Sequence, residues 1–241
     1  MTTLQNTLLN GVPHGIVKRV MVGINWTMVE GKHGCGLAQT PQRNSPGCQA
    51  ITAAGQLASM DLRRLANLIK NPNPMEVAIG MAAINASYNR YDLDAKCDDN
   101  GLDAFGTVDQ SVAVVGRFPG LERRYSLLKV IEKDPRKGEY PETNAKAILE
   151  SSHYAIITAS TFVNGTAEKM VSYADKCETA IIGPGTPLCP KLFELGVSVL
   201  SGLIIDKPSD AFQIIAEGGA VKELKNAICV GVYFASSGMA K

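Results

Sequence analysis

The stretch that most constrains this chain is Ile181 to Gly202, IIGPGTPLCPKLFELGVSVLSG, where an apolar run ends in a Gly-Pro-Gly turn, a helical segment follows, and a second apolar run closes the unit. Two apolar strands flanking one helix predict a parallel βαβ unit. The turn after the first strand then lies at the carboxyl edge of the sheet, where open α/β sheets hold ligands. Thr186 suits the N-cap and Pro187 the first helical position, so unpaired N–H groups would face that edge and favour an anion. Gly183, Pro184 and Gly185 fit equally a structural turn whose glycines only supply positive φ. A functional reading therefore depends on similar turns elsewhere.

From Ser111 onward the runs SVAVVG, SLLKVIE, HYAIITAS, ETAIIG and GVSVLSGLII alternate with helical segments near 143–151, 164–174, 187–195 and 209–217. This alternation predicts an α/β architecture with a doubly wound parallel sheet. Its first strand ends in Gly116-Arg117-Phe118-Pro119-Gly120, and its second ends in Glu132. In dinucleotide-type sheets the first turn holds a phosphate or nucleoside, and an acidic residue ending the second strand binds ribose hydroxyls. GRFPG departs from GxGxxG, and Pro119 lacks an N–H, so a conventional NAD site is not expected. The third strand leads into residues 158–166, TASTFVNGT, whose Thr161 and Asn164 can cap a helix or hold a carboxylate or phosphate.

The first half reads differently. Residues 1–10 predict a short helix, 16–24 a strand and 26–30 its hairpin partner, followed by GKHGCGLAQT at 31–40. His33 and Cys35 place an imidazole and a thiol one residue apart, chemistry that suits a soft transition metal or a nucleophile with its base. Structural metal sites need three or four ligands, so a glycine-rich hairpin loop around Gly36 with a buried cysteine is the alternative. Helices are expected over 47–58, 61–69 and 74–87. His14 and His153 read as surface groups, and Cys177 and Cys189 as small apolar packing residues. The acidic stretch 88–109 reads as a connector: a calcium loop aligned on Gly101 would put Lys96 first and Thr107 last. We therefore expect an α+β unit over 1–105 and a doubly wound α/β unit over 106–241.

A hydrophobic share of 45% supports a real core, and 24 basic against 23 acidic residues give no global attraction to nucleic acid or an anionic membrane. Small molecules are the expected partners, and a homo-oligomer is compatible with the pattern. No apolar run approaches the roughly 18 residues of a membrane span, and the start lacks a signal-peptide pattern, so a cytoplasmic protein is expected. The six cysteines form no CxxC pair, which favours reduced thiols.

Taken together, VGINWTMVEGKHGCGLA, VGRFPG, VIEKDP, ITASTFVNGT and IIGPGTPLCPKLFELGVSVLSG resemble the heavy-metal chelation domain family with its companion amino-terminal domain, over nearly the whole chain. The resemblance implies an enolase-like amino-terminal domain, a Rossmann-like domain partly similar to methyltransferases, and a site where the two meet. It also implies handling of metal chelators, or condensation or hydrolysis of pterin-, flavin- or siderophore-like molecules. The residues it carries over are His33, Cys35 and Gly36, Gly116 and Phe118 in the first turn, Glu132, Thr161, Asn164, and Gly183, Pro184 and Thr186.

Two functional readings follow. In the first, a transition-metal ion or metal chelate (metallophore) sits in the interdomain cleft with His33 and Cys35 as ligands. In the second, an enzyme acts on a small anionic heterocycle, with His33 as general acid or base, Glu132 on a hydroxyl, and Thr161, Asn164 and Thr186 on an acidic group. Adenosylmethionine binding is a third, weakened by the missing multi-glycine loop. The metal-chelate reading is favoured.

Overall fold

The computed structural model describes residues 3–42, 50–95 and 101–235. Helix α1 (Thr3–Asn10) buries Leu4, Leu8 and Leu9. Three antiparallel strands follow, β1 (Arg19–Val22), β2 (Trp26–Glu30) and β3 (Cys35–Gln39), in that spatial order. The expected helix over 47–58 is partly outside the described residues, and from 52 to 55 the chain forms turns instead, with Ala53 and Gly55 at positive φ. Helix α2 (Leu62–Ala66) starts where the Asp61 side chain accepts from the Arg64 N–H, and α3 (Pro74–Tyr88) starts at Asn73, whose side chain accepts from the Met75 N–H. The aspartates at 98 and 99 and the cysteines at 48 and 97 lie outside the described residues.

The second half contains β4 (Val112–Val115), β5 (Leu128–Glu132), β6 (Tyr140–Pro141), α4 (Ala145–Glu150), β7 (Tyr154–Thr158), α5 (Ser160–Val163), α6 (Ala167–Tyr173), β8 (Glu178–Ile182), β9 (Val199–Ile205), α7 (Pro208–Ala216) and β10 (Ile228–Phe234). The sheet runs β10-β9-β8-β7-β4-β5-β6, parallel throughout except for β10, which is antiparallel to β9. From β4 the chain winds outward through β5 and β6, then returns to the other side of β4 as β7. The reversal lies between β4 and β7, the place where such sheets bind ligands.

The expected helix over 187–195 is replaced by a 3-10 helix spanning Pro190–Leu195. A residue before proline is pushed out of the α region, and Cys189 accordingly has φ −99° and ψ 111°. Thr186 is thereby no helix cap.

Helix α3 is apolar around its circumference, the pattern of a helix buried on every side, and its residues from Ala78 to Ala86 are all inaccessible. It packs against β2 and β3, and glycine permits the approach. A Cβ on Gly36 would lie 2.1 Å from the Ala82 carbonyl oxygen and 2.3 Å from the Ala86 nitrogen. The glycine-rich hairpin thus answers to helix–strand packing.

Two asparagines one turn apart, Asn85 on α3 and Asn89 capping its end, join the halves. Asn85 Nδ2 donates to the Leu37 carbonyl at 2.6 Å and the Gly185 carbonyl at 2.8 Å. Asn89 Nδ2 donates to the Thr186 and Leu203 carbonyls at 3.0 and 2.9 Å, and its Oδ1 accepts from the Leu188 N–H at 3.0 Å. Apolar packing is continuous across this junction, from Leu4 through α3 to Ile204.

Replacing Asn89 by Ala orphans three buried backbone groups, each costing about 1–3 kcal/mol. Chemical denaturation of Asn89→Ala should show a loss of at least about 3 kcal/mol, and Gly36→Ala a comparable loss through overpacking. Gly15→Ala, where a Cβ meets nothing within 4 Å, should stay within about 0.5 kcal/mol of the parent. Equal stability of Gly36→Ala and Gly15→Ala would contradict the packing role.

Candidate functional site

A cleft of 1170 Å³ opens at the carboxyl ends of β4, β5 and β7. Its floor holds Gly116, Glu132 and Thr158. One wall is the β7–α6 connection, and the other is formed by residues 39–42 after β3 and 69–74 before α3. Gly116 follows β4 at φ +97°, and a Cβ there would fall 2.6 Å from Thr158 Cγ2. Glycine is therefore required both for the turn and for the closeness of the two strand ends at the switch point.

Glu132 ends β5 with its carboxylate at the cleft. Its Oε2 accepts from the Lys133 N–H at 3.2 Å, which leaves Oε1 for a ligand. Thr161 and Asn164 also line the cleft, with part of their polarity committed to the corner. Thr161 is buried and its Oγ1 donates to the Thr158 carbonyl at 2.7 Å. Asn164 Oδ1 accepts from the Thr166 N–H at 3.0 Å and from Thr166 Oγ1 at 2.6 Å, closing the turn that starts α6, so Nδ2 is its remaining donor. Gly183, at φ +136°, and Pro184 line a smaller adjoining pocket of 140 Å³.

Other expected site residues are elsewhere. Phe118 packs half-buried against the cluster containing Val112, Val114, Leu121 and Tyr125. Thr186 is wholly buried beneath the Asn89 bond and lines neither cavity; its Oγ1 has no hydrogen-bond partner among the described residues. Gly36 faces α3. His33 and Cys35 sit at the opposite end of β3 from the cleft-lining Gln39, and at about 3.3 Å of rise per residue Cys35 is roughly 13 Å from Gln39 along the strand.

His33 is exposed, with its carbonyl accepting from the Tyr91 N–H at 3.0 Å. Burial, followed by the neighbouring Glu30 carboxylate, pushes the Cys35 thiol far above its ordinary value. Cys35 is also fully buried, so its sulfur is closed to a ligand arriving from solvent. Among the described residues no group of three or more His, Cys, Asp or Glu side chains is placed to hold a metal ion. Among the described residues the donor set therefore does not fit a bare soft ion, nor is His33 within reach of the cleft as its acid or base.

Sequence reasoning missed Gln39, Lys133 and Trp26 as lining residues, while Ser160 belongs to the hydroxyl-rich 158–166 stretch it had marked. Gln39 carried a usable signal, as the one exposed polar residue ending an otherwise buried strand. The others become lining residues only through tertiary packing.

Arg117 lies at the rim, where its guanidinium forms a fork with Glu139: Nε to Oε1 at 2.8 Å and a terminal nitrogen to Oε2 at 2.6 Å. Glu139 Oε2 also accepts from the Arg136 N–H at 2.7 Å. These bonds, the Arg117 fork first, pull the Glu139 carboxyl from 4.5 down to about 2. A depressed carboxyl contributes stability that is fully present above its unfolded value and is lost as pH falls through the folded one. Carboxyl NMR titration should place Glu139 near 2 in the parent protein and higher in Arg117→Ala, still below the ordinary 4.5 because the Arg136 N–H bond remains. The stability gap between the two should be constant above about pH 5 and shrink on acidification from there toward pH 2. An unmoved Glu139 titration would show the fork to be loose.

Comparison with known proteins places these features in a family. A family model described as DUF364, "Putative heavy-metal chelation", matches residues 103–233, and a second, DUF4213, with the same description, matches residues 5–88. No curated protein matches the chain. The crystal structure of a DUF364 family protein of unknown function from Desulfitobacterium hafniense DCB-2 is similar at 28% identity and a TM-score of 0.85, over 96% of this chain and 97% of that one. A DUF364 family protein of unknown function from Pyrococcus horikoshii shares the fold at 21% identity and a TM-score of 0.77, over 96% and 98% of the two chains. With more than half of its residues matched by the first model, this α/β chain belongs to the DUF364 heavy-metal chelation family.

Proposed function

We propose that the protein binds a small polar organic chelator, and holds metal as part of that chelate, in the cleft at the ends of β4, β5 and β7. The observation that carries this reading is the segregation of donors. The cleft presents carboxylate, amide, hydroxyl and ammonium groups at the switch point, while the two soft donors expected to bind metal lie at the far end of the hairpin. A metal already satisfied by its chelator needs no ligand from the protein. Its organic periphery does need recognition.

Glu132 Oε1 accepts from a ligand hydroxyl. Asn164 Nδ2 donates to a ligand oxygen, and Lys133, whose ammonium has no partner among the described residues, pairs with an acidic substituent. Size supports a chelate over a bare ion, since 1170 Å³ exceeds the usual range of about 300–1,000 Å³ for small-molecule pockets. The family's description agrees with metal handling in general terms.

Isothermal titration with ferric chelates of hydroxamate, catecholate and carboxylate type, their metal-free chelators, and aqueous zinc and cobalt ions tests the reading. A chelate class should bind while the aqueous ions do not. Glu132→Gln should weaken binding about tenfold to a hundredfold, the worth of a charge-assisted hydrogen bond, and His33→Ala with Cys35→Ala should leave it unchanged. Stoichiometric uptake of an aqueous ion, abolished by the His33 and Cys35 substitutions, would return the metal to the hairpin and sink the proposal.

A further inference from the structure

The connection from β5 to β6, KDPRKGE at 133–139, has no apolar side chain apart from the exposed Pro135. Its first residue, Lys133, lines the cleft. A segment without buried apolar contacts lies at the low-stability end of a structure, so its placement depends on polar ties. Among the described residues, two side chains tie it to the rest of the protein. Glu132 Oε2 accepts from the Lys133 N–H at 3.2 Å. Arg117 makes the other bonds: Nε and Nη2 fork onto Glu139 Oε1 and Oε2 at 2.8 and 2.6 Å, and Nη2 also donates to the Asp134 carbonyl at 3.2 Å.

Both ends of this clasp are fixed. Arg117 follows Gly116, whose N–H donates to the Ile131 carbonyl at 2.9 Å. Glu139 gathers the loop onto itself, since its Oε2 accepts from the Arg136 N–H at 2.7 Å and its own N–H donates to the Arg136 carbonyl at 2.9 Å. The Glu139 side chain is only 14% exposed and that of Arg117 32%. A two-bond pair partly withdrawn from water holds its geometry, as a single exposed ion pair does not. Lys133 thus stands between two held points, Glu132 at the end of β5 and Asp134 under the guanidinium.

We propose that Arg117 and Glu139 are positioning residues for the cleft: their fork holds the β5–β6 connection so that Lys133 presents its ammonium to an anionic group of the ligand. Arg117 acts through this loop and not through its own charge. The inference rests on the cleft's being a small-molecule site, and it adds that the anion-binding group there is preorganised, which spares the ligand the cost of ordering the loop. The sign of one substitution separates the two roles. Glu139→Gln removes a negative charge from the rim, which by charge alone tightens anion binding and by loss of the clasp weakens it. Arg117→Lys keeps the positive charge but cannot serve both Glu139 oxygens and the Asp134 carbonyl at once.

Diamagnetic gallium citrate and inorganic phosphate are the probes, the first for a chelate and the second for the anion contact alone. Both are titrated against the Gly116 amide by NMR, with the fold checked by circular dichroism. Glu139→Gln and Arg117→Lys should each weaken both anions about fivefold. Lys133→Ala should cost about tenfold in the parent and less than about twofold in Arg117→Ala, whereas Asn164→Ala, on the facing wall, should cost gallium citrate the same in both backgrounds. Amide exchange at Arg136 should speed up about tenfold in Arg117→Ala. Equal or tighter anion binding in Glu139→Gln, full retention of affinity in Arg117→Lys, or unchanged Arg136 exchange overturns the positioning role. If gallium citrate binds with Glu132 dependence and both rim variants leave it unaltered, this inference alone falls. If phosphate binds with the expected rim dependence and no chelate binds, the inference stands and the chelate reading falls. If the parent binds neither anion, both fall.

Discussion

The structure depends on the hydrogen bonds that Asn85 and Asn89 make from α3 and its C-cap. Both amides are buried, and both amino groups and the Asn89 oxygen are paired, as buried polar groups generally are, while Asn85 Oδ1 has no partner among the described residues. Their partners are the turn at 185–188, the β3 backbone and the middle of β9. These bonds fix the small sheet against the end of the large one and so hold the cleft walls at a set distance. Because the amides answer backbone groups in definite directions, they specify register as well as proximity. Gly36 completes the arrangement from the strand side, since any side chain there would strike the helix backbone.

That constraint explains why the conspicuous sequence motifs and the site are displaced from each other. GKHGCG and GPGTP both read as loops built for chemistry, yet Gly36 is occupied with α3 and Thr186 is sealed beneath Asn89. The cleft is instead lined by Glu132 and Asn164, which their places at strand ends had marked, together with Gln39 at the end of a hairpin, which sequence reasoning had not marked. They matter through where the sheet reverses direction. Gly116 is both visible in the sequence and required in the structure by the nearness of Thr158.

Much of the fold was legible because it rests on local periodicity. The apolar runs that became β4, β5, β7, β8 and β9 stand out from their flanks, and Asp61 and Pro74 marked helix starts that the structure repeats. What was not legible depends on competition between local rules. A helix over 187–195 satisfied composition, but the proline at 190 excluded Cys189 from the α region and shortened it to a 3-10 turn. At the site, Glu132 and Gly116 were legible from topology alone. Trp26 and Lys133 were not, because no spacing rule brings a hairpin residue or the residue after a strand into a cleft.

The segregation of soft donors from the cleft is the central claim, and native mass spectrometry of freshly purified protein tests it most directly. The account predicts an adduct whose mass exceeds any single ion, an organic molecule with or without metal, released by denaturation and depleted in Glu132→Gln. A bare-ion adduct that survives Glu132→Gln and disappears in His33→Ala with Cys35→Ala would contradict it.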